Sequence, residues 1–168
     1  IFDKEKNLKK KLYLTNKNDT SSLLLPNIDH LQKFNNYSRF ELKKTLELNT
    51  TTIDHEFEKT ELDFVKIDVE GYHLNILEGS KKKLDNILGL EVEVELQDIR
   101  LGQPDFYEVL NFLKEHNFEM HDILNIIRWK RDSYQYTGQP HTCDLFFLKS
   151  PEFIIDQFQK GTIKEEKI

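Results

Sequence analysis

Residues 62–80, LDFVKIDVEGYHLNILEGS, constrain what this chain can fold into more than any other stretch. Val65, Ile67 and Val69 alternate with Lys66 and Asp68 in a run rich in β-branched side chains, a pattern that predicts a strand. Glu70 and Gly71 break the run, because glycine tolerates backbone angles that a β-branched residue cannot. From Tyr72 the period changes. Leu74, Ile76 and Leu77 fit a short helix that Gly79 can end. A strand, a tight turn and a helix form half of a βαβ unit. They leave two carboxylates, Asp68 and Glu70, at the carboxyl end of the strand, which is where ligands bind in open α/β sheets.

The other segments extend this pattern. KLYLT at 11–15 predicts a short strand, NKNDTSS at 16–22 a polar turn, and Ile28, Leu31 and Phe34 a packing helix capped by Asn27 or Asp29. Phe40, Leu42, Leu46 and Leu48 alternate with charged residues, as in a strand with one wet face near a sheet edge. A short capped helix is expected near 55–58, and Ser80 can cap another over SKKKLDNI. GLEVEVEL at 89–96 is the most regular strand. Leu90, Val92, Val94 and Leu96 face one way and Glu91, Glu93 and Glu95 the other. Glu91 and Glu93 read as a solvated stripe, whereas Glu95, near the carboxyl end, can equally join Asp68.

Pro104 opens a helix that Asn117 stops, and 118–124 predicts a strand. Residues 126–136 read as an irregular segment, in which Trp129, Arg131 and Tyr134 either face a substrate or pack a long connection. A final strand over 142–148 precedes a helix from Pro151 and a frayed KEEKI end. The expected organisation is one domain over 1–150 followed by a helix and tail over 151–168. Helices alternate with strands through the middle, so the sheet should be mostly parallel, with an antiparallel pair near one edge where two strands join without a helix.

Composition narrows the function. Lys and Arg number 24 against 30 Asp and Glu, with both signs scattered, so no basic stripe points to nucleic acid. No apolar run reaches the length of a membrane span. The single cysteine, Cys143, cannot form an internal disulfide and lies in the apolar run CDLFFL as an inert core thiol, which suits a cytoplasmic setting. His73 reads as a helix-surface residue, and the other histidines show no ligand spacing, so no metal is assigned.

KIDVEG, the helix LNILEG, the strand LEVEVEL, a helix ending FLKEHNF and the closing DLFFLK together resemble the FkbM family of S-adenosylmethionine-dependent methyltransferases. LYLTNKNDTSSLLLPN and LELNTTTID are similar to it as well, so the likeness spans roughly residues 10–150. The resemblance implies a Rossmann-like class I methyltransferase sheet and methyl transfer from S-adenosylmethionine to a hydroxyl of a small molecule or glycan. It places Asp68 and Glu70 at the motif positions as candidate catalytic residues.

A carboxylate beside a hydroxyl can orient it or accept its proton. Two acids so close can alternatively hold a divalent cation. The bland alternative pairs Asp68 with Lys66. The family pattern also needs a glycine-rich turn after its first strand. The six glycines, at 71, 79, 89, 102, 138 and 161, lie too far apart to form one. Since the chain also opens without methionine, the cofactor half and the N-terminal strands are expected upstream. Two rival functions are a metal-dependent sugar-nucleotide glycosyltransferase and a non-catalytic α/β interaction module.

Overall fold

A computed structural model describes residues 1–131 and 137–163. Its six strands are β1 (Lys9–Thr15), β2 (Leu42–Asn49), β3 (Phe64–Ile67), β4 (Gly89–Glu95), β5 (Phe118–Trp129) and β6 (Gln139–Lys149). The helices are α1 (Ile28–Leu31), α2 (Ile53–Glu56), α3 (His73–Glu78), α4 (Lys81–Leu84), α5 (Phe106–Glu115) and α6 (Pro151–Gln159). β3, β4, β6 and β5 form one sheet in that spatial order, and β1 and β2 form a separate antiparallel ribbon.

The sheet is mixed, with three of its four strands, β3, β4 and β5, running one way as expected; β3 and β4 pair in parallel, and β6 runs against both of its neighbours, β4 and β5. The cause is the connection: fewer than ten residues separate Trp129 from Gln139, too few for the crossover that a parallel neighbour needs. The expected antiparallel pair does lie at one edge. β2 is an edge strand, as its wet face predicts, but of the separate ribbon, where its partner is β1. β5 also runs on to Trp129, so residues 126–129 are strand rather than irregular, and register shifts and a left-handed Asn125 (φ 47°) bend it.

The helix ends follow their caps. Asn27 and Thr52 accept the amides of His30 and His55, and Asp105 and Glu108 close a capping box on α5. Asn117 stops α5 in the left-handed region at φ 62°. Ser80 does not cap α4. Its hydroxyl donates back to the Leu77 carbonyl, and Asp54 accepts the amides of Lys82 and Lys83 instead, at 3.1 and 2.9 Å. Gly79 ends α3 at φ −83°, so its freedom of backbone angle is not used. It is needed because a Cβ there would sit 2.1 Å from the carbonyl oxygen of Asp3.

The core lies between the sheet and its helices. Leu90, Val92 and Val94 of β4 pack with Leu145 and Phe147 of β6, Ile76 and Leu77 of α3, and Val109 and Leu113 of α5. Each such side chain contributes about 1.5–3 kcal/mol when fully buried. The apolar face of β4 thus anchors the strand, and its glutamate face is held in register with β3. No helix among the described residues is long and apolar enough to cross a membrane.

Candidate functional site

The site begins where β3 ends. After Ile67 the chain passes through exposed Asp68 and half-buried Val69, then takes two consecutive left-handed residues, Glu70 (φ 54°) and Gly71 (φ 87°), into α3. The second position requires glycine, since a Cβ would lie 3.1 Å from Arg100 Cδ and 3.2 Å from Glu95 Oε1. The first holds a glutamate at a cost of about 1–2 kcal/mol, and its contacts explain how. The Ser22 hydroxyl donates to the Glu70 carbonyl at 2.7 Å, and the buried Arg100 guanidinium pairs with the Glu70 carboxylate. Strain held by long-range contacts at a strand end makes this turn a candidate functional position.

Register supplies the third acid. Ile67 pairs with Val92 across the parallel ladder, so the next residues, Asp68 and Glu93, come side by side. Oxygens from Asp68, Glu70 and Glu93 lie within 4.8 Å of one another. Burial pushes the Glu93 carboxyl up to about 9, and the charges of Glu70 and Asp68 add to the effect. Burial also raises Glu70, against the pull of Arg100. These three are the described residues that could together hold a cation.

Around the acids opens a cleft of about 500 Å³, which Arg39, Asp19 and Ile127 also line. A recess of about 100 Å³ shares Arg39, Glu70, Glu93 and Ile127 with it and is lined further by Phe40, Trp129 and His141. The Trp129 and His141 rings stack at 3.4 Å with 19° between their planes. Phe34 meets the edge of both. In this apolar stack burial holds His141 down at about 3, so it is neutral.

Asp68 and Glu70 come together as their spacing predicts. The pairing of Asp68 with Lys66 does not form, because Lys66 reaches Glu91 and Asp144 on the neighbouring strands. Glu93 does not belong to a solvated stripe; it is the third acid. Glu95 lies beneath the turn, its side chain fully buried, with burial raising it to about 7. His73 is not on a helix surface. It is 1% exposed, its Nδ1 is 3.7 Å from Glu95, and burial holds it at about 4.

Cys143 is buried with its thiol pushed up to about 11, consistent with an inert core thiol. Trp129 lines the recess, and the Arg131 guanidinium lies 5.5 Å from the Phe34 ring. Tyr134, Tyr136 and the KEEKI tail fall outside the described residues. Arg100, the counter-charge of Glu70, carries no signal in its spacing. Glu93 could have been found by aligning the ends of the two parallel strands.

Comparison with curated proteins and with solved structures gives no match. The family described as the methyltransferase FkbM domain matches residues 5–120, more than half of the chain, and includes β3, the Glu70–Gly71 turn, β4 and Arg100. The chain therefore belongs to the FkbM methyltransferase domain family.

Proposed function

We propose that this protein serves S-adenosylmethionine-dependent O-methylation of a small-molecule or glycan hydroxyl, and that the described residues form the acceptor side of the reaction. The observation that carries this reading is the convergence of Asp68, Glu70 and Glu93 at the carboxyl ends of two parallel strands, above a recess walled by Trp129 and His141. Family membership supports methyl transfer as the chemistry. A hydroxyl is a weak nucleophile. Exposed Asp68 is placed to accept its hydrogen bond and take its proton, while the aromatic wall excludes water behind it.

The described residues do not by themselves fit the donor. Gly71 packs on Arg100 and Glu95, Gly79 on Asp3, and Gly89 on Phe64 and Leu148, so these three glycines serve close packing of the chain on itself rather than a glycine-rich turn around a donor. The chain's own residues bind and orient the acceptor: Glu70, fixed by Arg100 and Ser22, sets the turn, and Asp68 presents its carboxylate to the cleft.

The test is Asp68→Asn in the protein as encoded by its complete reading frame. Transfer of a labelled methyl group from S-adenosylmethionine to a panel of sugars and phenols is measured. Turnover should fall by about 10²–10⁴-fold, the usual contribution of a general base, with the circular dichroism spectrum unaltered. Turnover equal to that of the parent protein would remove Asp68 from the mechanism.

A further inference from the structure

We infer that Asp68, Glu70 and Glu93 bind one divalent cation, with oxygen ligands only, at the mouth of the recess. The backbone fixes all three acids before any ligand arrives. Asp68 follows the end of β3, Glu70 is locked in the left-handed turn, and Glu93 is held within the β4 ladder. Their oxygens approach within 4.8 Å of one another, a spacing that a single ion with metal–oxygen bonds of about 2.0–2.6 Å spans. Among the described residues, one protein cation forms an ion pair with the trio, which leaves Asp68 and Glu93 without one. Arg100 pairs with Glu70, Lys66 turns to Glu91 and Asp144, and Arg39 faces Asp19 at 3.4 Å.

A second observation, independent of the acids, points to a ligand in the same place. His141 is 2% exposed and lines the recess with Glu70 and Glu93, yet its Nε2 has no hydrogen-bond partner among the described residues. A buried polar atom left unpaired is destabilising, so a partner entering the recess relieves that penalty. His141 is not one of the mutually close ligand set. Its role is to meet an oxygen, from water or from the acceptor, that the ion holds on its open side.

Carboxylate donors without thiolate or imidazole select hard ions, magnesium, manganese or calcium, over zinc or copper. An ion here would also acidify a bound hydroxyl. That consequence rests on the methyltransferase reading, whereas binding of the ion does not.

The experiment is calorimetric and paramagnetic titration of the purified protein with Mn²⁺ alone, with Mg²⁺ as competitor. One site is expected. Glu93→Gln should weaken binding by on the order of ten-fold or more, the exposed Asp68→Asn likewise, and the remote Glu115→Gln not at all. Glutamine matches the shape of Glu93, so the variant should fold, which circular dichroism checks. Absence of a Mn²⁺ site at millimolar ion, or equal binding by all variants, overturns the assignment and leaves a cluster held by a shared proton. Loss of methyl transfer in Asp68→Asn without any metal site would sink this inference and spare the proposed function. A metal site in a protein that transfers no methyl group would do the reverse.

Discussion

Replacing Glu95 by glutamine should make this protein more stable, and only at neutral and alkaline pH. The Glu95 side chain is almost wholly inaccessible, its Oε2 lacks a hydrogen-bond partner, and burial raises its carboxyl from an ordinary value near 4.5 to about 7 despite the attraction of Arg100. A folded-state value above the unfolded one means that the native protein keeps a proton the unfolded chain has released. Stability therefore falls as pH rises from about 4.5 to 7 and stays lowered above that. A displacement of about 2.5 pH units corresponds to a limit of about 3.5 kcal/mol at about 1.4 kcal/mol per unit, of which nearly all is reached by about pH 8. Glutamine has the same shape and carries no charge, and its amide can donate toward His73 Nδ1, 3.7 Å from Glu95 Oε2. Urea unfolding followed through Trp129, the only tryptophan, should show Glu95→Gln ahead by about 3 kcal/mol at pH 8 and by under about 1 kcal/mol at pH 5. An equal difference at both pH values, or a loss at pH 8, would refute the argument that burial of this charge destabilises the fold.

His73 should act in the opposite pH range. Its folded value near 4 lies below the ordinary 6.5, so the native state refuses a proton that the unfolded chain takes up, and stability falls as pH drops from about 6.5 toward 4. His73→Leu should remove up to about 3 kcal/mol of that acid sensitivity, read from thermal unfolding at pH 7 and pH 4.5. Gly71→Ala places a Cβ against Arg100 and Glu95 at φ 87° and should cost about 1–3 kcal/mol, seen as a lower midpoint in the same denaturant series.

The central strand, turn and helix were legible because three independent signals agreed: β-branched alternation, a glycine break and a switch to helical spacing. The cap of α1 at Asn27 and the stop of α5 at Asn117 were legible for the same local reason. The ribbon partner of β2 was not, because alternation reports a wet face and says nothing about which strand lies beside it. Glu93 shows the limit most clearly. Alternation assigned it to a polar face but could not say whether that face met water or Asp68, since the answer depends on the Ile67–Val92 register. Arg100 and His73 were hidden for a different reason. Their partners, Glu70 and Glu95, lie tens of residues away or on another element, and charge in a sequence carries no information about depth.

The Ser22–Glu70 hydrogen bond joins segments 48 residues apart, one beside the N-terminal ribbon and the other at the rim of the main sheet. The sheet can pair and fill its core without that link, because β3 to β6 and their helices supply the packing. The turn at Glu70 has no such independence. Its unfavourable backbone angle is held by Ser22 as well as by Arg100, so loosening of the ribbon removes one of the two restraints on the acidic rim. The geometry of the acids is therefore coupled to the docking of a distant segment.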